Sequence, residues 1–375
     1  MNLKWLLLLL VLLRGGFADE NRSVTEQVEW LQDERGLHFK KGYFQPIFQG
    51  ELLFWKGDVD GVAVATTSKE TEIAGGMATT NVKTRTPHFS YDPGFRVGVG
   101  VQSPGKLLDV SLLWTQFYTE GQDKAHGSLV VGGGFPGDKL ILNQIGLIQE
   151  LVSAPNWIGS KCHIRENLLD LELARGIKAS RRFFMRPYFG LRGVLSGIRW
   201  NIKSKRNFIL PSALNQDATR LRVKNDFNGV GGLFGLELDW KAPLGFGVNM
   251  RGAGSLIWGL SEEKTKQKYV FIPAGEEEGV HRVYRAGNSS HCLKALWELF
   301  IGGFWETDFS SKKAPRSLLS AEKKQTRKTS LRLLAGYELQ HWPWFGQKTN
   351  VQSSRERERF SLGFQGFTGG AKLVF

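Results

Sequence analysis

Apolar and polar positions alternate with period two along much of the chain. In residues 95–102, Phe95, Val97, Val99 and Val101 share one side, and Arg96, Gly98, Gly100 and Gln102 the other. Successive side chains of a strand point to opposite faces, so this predicts a strand with one apolar face and one polar or small face. The pattern recurs. Leu108, Val110, Leu112 and Trp114 alternate with Asp109, Ser111, Leu113 and Thr115, and Leu169, Leu171 and Leu173 with Asp170, Glu172 and Ala174. Pro187, Phe189 and Leu191 alternate with Arg186, Tyr188, Gly190 and Arg192, and Phe234, Leu236, Leu238 and Trp240 with Leu233, Gly235, Glu237 and Asp239. Farther along, Phe246, Val248, Met250, Leu256 and Trp258 alternate with Gly247, Asn249, Arg251, Ser255 and Ile257, and Trp297, Leu299 and Ile301 with Glu298, Phe300 and Gly302. Leu331, Leu333, Ala335, Tyr337 and Leu339 alternate with Arg332, Leu334, Gly336, Glu338 and Gln340. The segment 50–58 is apolar on both sides and leaves its own register open. The final run, 360–375, sets Phe367, Gly369, Ala371, Leu373 and Phe375 against Thr368 and Lys372.

Tight connections alternate with long ones. Ser103 to Lys106 carries Pro-Gly turn chemistry, and Lys178 to Arg182 and Lys241 to Gly245 are equally short. The intervening stretches 59–90, 120–165, 203–226 and 261–291 are long. A transmembrane barrel keeps this rhythm, with short periplasmic turns and long extracellular loops; a soluble sandwich has no reason to. The expected fold is therefore all-β: an antiparallel up-and-down barrel of about ten strands with both ends periplasmic. An additional hairpin from Ser128 to Val131 and Leu140 to Leu147 would raise the count to twelve. The connection from Asp308 to Thr329 breaks the rhythm.

Residues 1–18 read as a cleaved export signal: Lys4, an apolar run from Trp5 to Leu13, and the small-x-small site Gly16-Phe17-Ala18. Nine apolar residues make about 14 Å of helix, too short for a hydrocarbon core of about 30 Å. Residues 19–47 are then a periplasmic segment and 48–375 the barrel. Removing Lys4 and Arg14 with the signal lowers the formal net charge from +14 to +12. Export makes nucleic acid an unexpected partner despite that charge. No later stretch approaches a transmembrane helix. The 45 glycines suit crowded strands, and the Trp and Phe content suits membrane interfaces.

The chain resembles the Legionella-type pore-forming outer membrane proteins, which are similar in style to the chlamydial major outer membrane proteins. The resemblance rests on Gly50-Glu51-Leu52-Leu53-Phe54-Trp55, Asp92-Pro93-Gly94-Phe95-Arg96-Val97-Gly98, Asp109 to Thr115, Leu169-Asp170-Leu171-Glu172 and Arg186 to Gly193. It implies a bacterial outer-membrane barrel with passive, porin-like diffusion of small hydrophilic solutes and a surface structural role. The alternatives are a closed narrow barrel serving as an adhesin or structural protein, or a small outer-membrane hydrolase.

The polar face supplies candidate lumen charges: Arg96, Asp109, Asp170, Glu172, Arg186, Arg192, Glu237, Asp239, Arg251, Lys294, Glu298, Arg332, Glu338 and Lys372. They form either a charged constriction that selects solutes or a salt-bridged plug, since a narrow barrel is filled by its own side chains. Trp55, Trp114, Trp200, Trp240, Trp258, Trp297, Trp305, Trp342 and Trp344 are expected in interfacial girdles. Lys203, Lys205, Arg206, Arg220, Arg222 and Lys224 would meet lipopolysaccharide phosphates outside, and the basic run 312–332 anionic headgroups inside. Cys162 and Cys292 are open to three readings: a disulfide, metal ligands beside His163 and His291, or two free thiols. His88, His126, His163, His281, His291 and His341 fall near the outer rim without a recognisable catalytic dyad, so no enzyme and no cofactor is expected. Phe375, a terminal aromatic after alternating apolar residues, is the expected signal to the barrel assembly machinery.

Overall fold

The computed structural model describes residues 44–60, 65–73, 77–103, 108–126, 139–141, 157–210, 213–272, 279–310, 328–349 and 357–375. Ten long strands follow the chain: β1 (Gln45–Asp60), β2 (Tyr91–Gln102), β3 (Asp109–His126), β4 (Trp157–Ala174), β5 (Phe183–Leu210), β6 (Ala213–Lys241), β7 (Phe246–Ile272), β8 (Val280–Ser310), β9 (Lys328–Thr349) and β10 (Arg357–Val374). Each pairs antiparallel with the next. The barrel closes where β1 meets β10, with Ile47 opposite Val374 and Asp60 opposite Ser361. Closure leaves no unpaired edge, the condition under which strands cross a membrane.

The expected faces are present. Val97, Val99, Leu171, Phe189, Leu191, Met250 and Ile301 are exposed outward, where lipid covers them, while Arg96, Asp109, Asp170 and Arg192 are buried inside. The ambiguous β1 turns Glu51, Leu53 and Trp55 inward and Leu52 and Phe54 outward. Trp114, Trp240, Trp258, Trp297 and Trp344 are exposed on the outside, as expected of a girdle. Trp55, Trp200 and Trp342 are not: their register points them into the barrel, where they are buried.

Two expected loops are continuations of strands. Residues 203–226 belong to β5 and β6, which run to Leu210 and from Ala213, and residues 261–291 belong largely to β7 and β8. A crossing strand needs only about 9–11 residues, so these 27- to 31-residue strands rise well beyond the bilayer. The alternation persists there with its polarity inverted. Ile202, Leu221 and Val223 are buried inward, while Lys203, Arg220 and Arg222 face out. Outside is now water rather than lipid, so the apolar-out pattern stops at the membrane although the strand does not.

The part of the additional hairpin within the described residues does not enter the barrel. Lys139–Ile141 pairs with Ala65–Ile73, which pairs with Met77–Arg85 in a separate three-stranded sheet. Residues 128–131 and 142–147 lie outside the described residues, as do residues 1–43, with the expected signal, and 311–327, with most of the basic run. At the short-turn end, Ser103 N–H donates to the Leu108 carbonyl at 2.7 Å, and Ile177–Lys178 folds back on Met185 and Phe184. The turn Pro243–Gly245 needs its glycine: Gly245 has φ +83°, and a Cβ there would lie 2.3 Å from the Glu306 carbonyl oxygen.

Candidate functional site: the barrel interior

The interior is stacked in two layers. Towards the short turns, which face the periplasm in barrels of this kind, arginines each bridge several carboxylates. Arg96 on β2 meets Glu51 on β1 at 2.5 Å and Glu338 on β9 at 2.9 Å, and its Nε donates to Thr115 on β3. Arg251 on β7 reaches the same two acids at 3.7 and 3.3 Å. Thr368 donates to Glu338 and accepts from the Trp55 indole, both at 3.0 Å, which ties β10 and β1 into this hub.

Arg192 on β5 holds Asp170 on β4 through two hydrogen bonds of 2.7 Å and reaches Glu298 on β8 at 2.9 Å. Gln340 donates to the remaining oxygen of Glu298 at 2.7 Å. Nearer the short turns, Arg186 contacts Asp109, Glu237 and Glu172 at 3.1, 3.3 and 3.6 Å. Arg332 grips Asp239 through two bonds of 2.7 and 2.6 Å, and Asn249 donates to both Glu237 and Asp239. Tyr188 lies over Gly235, where a Cβ would come within 2.3 Å of its ring. Lys372 lines a residual cavity of about 60 Å³ with Glu51, Glu172, Arg186 and Arg251, room for a few waters.

The second layer, towards the long hairpins, is apolar. Trp55, Phe117, Phe364, Phe227, Trp342 and Phe345 are buried with Leu53, Ile164, Leu168, Ile198, Ile257 and Leu296 around them. Trp55 packs on Phe117 at 5.5 Å, Phe117 edge-on to Phe364 at 5.3 Å, and Trp342 edge-on to Phe345 at 5.7 Å. Two charges enter this layer. Glu166 accepts from the Trp342 indole at 2.7 Å. Lys294 donates to the Phe345 carbonyl and sits 4.5 and 4.6 Å from the Phe227 and Phe345 ring centroids, so aromatic faces take the place of a counter-ion. A bulge in β9 between Trp342 and Gly346 delivers Trp342 and Phe345 to this layer, with Trp344 at φ 51°.

All the expected lumen charges point inward, and the ion pairs join charges from β1 to β9 that the sequence shows only separately. Glu51 and Glu166 join them unannounced, while Thr115 and Thr368, on the polar face of the alternation, supply hydroxyls to Arg96 and Glu338. Glu51 had a signal in its parity with Leu53 and Trp55, masked because β1 is apolar on both faces. Of the expected external cations, Lys203, Lys205, Arg220, Arg222 and Lys224 lie on the outward face of β5 and β6; the side chain of Arg206 lies outside the described residues.

Cys162 and Cys292 are both free. They lie on β4 and β8, which are not neighbours in the barrel wall, so register never sets them side by side. Of the rim histidines, His163 contacts Tyr118 at 2.7 Å and Glu120 at 3.1 Å, and His291 stacks on Trp258. Among the described residues no group of three His, Cys, Asp or Glu side chains is arranged to hold a metal.

Comparison with known proteins locates the chain. Among solved structures it is similar to the outer membrane protease OmpT from Escherichia coli, at 8% identity over 90% of this chain and 100% of that one, with a TM-score of 0.35. It is also similar to a Pseudomonas aeruginosa FadL homologue, at 7% identity over 88% of this chain and 90% of that one, TM-score 0.26. The toluene transporter TodX of P. putida aligns at 9% identity over 88% of this chain and 89% of that one, TM-score 0.25. No curated protein sequence matches. The family model described as the Legionella pneumophila major outer membrane protein precursor matches residues 45–310, from the first barrel strand to the end of β8. A closed antiparallel barrel with an apolar outer face and a match over most of its length place this chain in the outer membrane, as a member of the Legionella major outer membrane protein family.

Proposed function

We propose that this protein is a sealed outer-membrane barrel with a structural role at the cell surface, presenting its long strand hairpins rather than conducting solutes freely. The observation that carries this reading is the double filling of the interior. Ion pairs occupy one level and an aromatic layer the next, and either alone would block a solute path. Water-filled porins have wider barrels, whereas narrow ones are filled by their own side chains. No catalytic role is part of the reading.

Reconstitution of the folded protein in planar bilayers tests it. The expected result is a silent membrane; reproducible stepwise conductance from correctly folded protein would overturn it.

The β9 bulge favours a second reading, a pore that opens by displacing a plug. Trp342 and Phe345 sit on the irregular segment of β9 and carry the Glu166 and Lys294 contacts. A left-handed backbone at a non-glycine residue stores strain of about 1–3 kcal/mol, which a displaced segment would release.

Phe375 supports an assembly role for the last strand. Its N–H donates to the Pro46 carbonyl at 3.1 Å, and its exposed ring meets Phe48 edge-on at 6.0 Å on the outer face of the seam.

A further inference from the structure

Beyond the membrane the outward face of β5 to β8 turns basic. Lys203 lies opposite Arg220, and Arg220 opposite Lys268. Two residues nearer the membrane, Arg222 lies opposite Lys266, and Lys266 opposite Arg285. Directly opposed residues on neighbouring strands hold their Cβ atoms about 4.5–5.5 Å apart, and like charges there repel. The Lys266 ammonium is held below its ordinary value by Arg285 and Lys268 beside it.

The nearest acids are already matched. Asp226 pairs with Lys224, and Glu262 with Lys264 at 3.0 Å. The six upper cations therefore have no carboxylate partner among the described residues. A face built this way draws anions to it.

A recess of about 390 Å³ opens at the foot of the same face, lined by Tyr118, His163, Arg165, Arg199 and Asp226. It owes its depth partly to Gly197, where a Cβ would come within 2.7 Å of Asp226 Oδ1. Glu120 is taken up by Lys161 at 2.6 Å and by His163 at 3.1 Å, which leaves the two guanidiniums free to meet an anion. Guanidinium is the side chain best suited to grip phosphate through two bonds.

The partner must stand beside the barrel, in the plane of the membrane. The basic face looks sideways and continues downward into the exposed Leu195, Val230 and Trp258, which face lipid. Lys266 lies eight residues beyond Trp258. At ~3.4 Å per residue and a strand tilt of ~40°, that is roughly 20 Å higher. A phospholipid phosphate reaches the recess but not the upper cations. A lipid with phosphates on a sugar headgroup reaches both.

We propose that this face docks a phosphorylated glycolipid of the outer leaflet, with one phosphate in the Arg165–Arg199 recess and others held by Arg222, Lys266 and Arg285. The docking involves no pore and is independent of whether the interior is sealed.

The test titrates the folded full-length chain in detergent with four probes: purified lipopolysaccharide, the same material dephosphorylated, phosphatidylglycerol, and heparin as a soluble polyanion. Lipopolysaccharide binding is expected to fall at least about tenfold on dephosphorylation and at least about tenfold in R222E/K266E, while K124E on the exposed face of β3 leaves it unchanged. If R222E/K266E does not fold by heat-modifiable migration, R222Q/K266Q replaces it, with a smaller loss expected. Equal binding of the dephosphorylated lipid, unchanged binding by the folded variant, or tighter binding of heparin or phosphatidylglycerol would each overturn the proposal.

Discussion

Arg96 illustrates how the interior charges depend on one another. It is buried between Glu51 and Glu338, and its removal leaves both acids only the longer contacts to Arg251, at 3.7 and 3.3 Å. Breaking a buried pair from one side leaves an uncompensated charge, typically at a cost of about 3–5 kcal/mol. Arg96→Met is therefore expected to destabilise the barrel by about that much in urea unfolding from lipid vesicles. Lys241→Ala removes the exposed partner of Glu306, paired at 2.6 Å, and should cost below about 1 kcal/mol. Equal effects of the two substitutions would show that the inner charges are solvated, as in an open channel. The residues of this network were legible as inward-facing from parity alone. Their partners were not, because Arg96 and Glu338 are far apart in the chain and meet only when the barrel closes.

At the scale of the element, the strands change environment along their length while keeping their period. In the bilayer the outer face is apolar and the inner face charged; above it, Ile202, Leu221 and Val223 turn inward among polar side chains such as Thr219, Thr265 and Gln267, and the outer face is basic. A reading that expects apolar side chains outside ends each strand at the membrane boundary, which is why 203–226 and 261–291 resemble loops. The β9 bulge is the other decisive local feature. It inserts Trp342 and Phe345 into the lumen, and W342A/F345A removes both rings from the apolar layer. Truncating buried aromatics costs about 3–5 kcal/mol each, so a less stable but still heat-modifiable barrel is expected. If the plug is displaceable, this variant should conduct in bilayers where the parent is silent. Silence from both would eliminate the gated reading.

At the scale of the whole molecule, closure couples the two chain ends. β1 and β10 share a seam from Ile47–Val374 to Asp60–Ser361, and Phe375 finishes it against Phe48. Phe375→Ala is expected to leave the stability of refolded protein nearly unchanged, since the ring is exposed, while lowering the fraction assembled in outer membranes of expressing cells. An unaltered heat-modifiable fraction in those membranes would remove the assembly role. The bilayer measurement belongs to this scale too, because a sealed interior is a property of all ten strands together.

The sequence alone determined the membrane-crossing β architecture, the strand parity and the identity of most inward charges. Each of these follows from local alternation, which a strand expresses wherever it lies. Tertiary structure decided what those side chains do. Ten strands close the barrel while Lys139–Ile141, between β3 and β4, pairs in a separate sheet, and Trp55, Trp200 and Trp342 went inside because their register demands it. The cysteines stayed apart because β4 and β8 are not neighbours. Whether inward charges line a channel or fill it depends on the radius at which the sheet closes, and no local pattern encodes that radius.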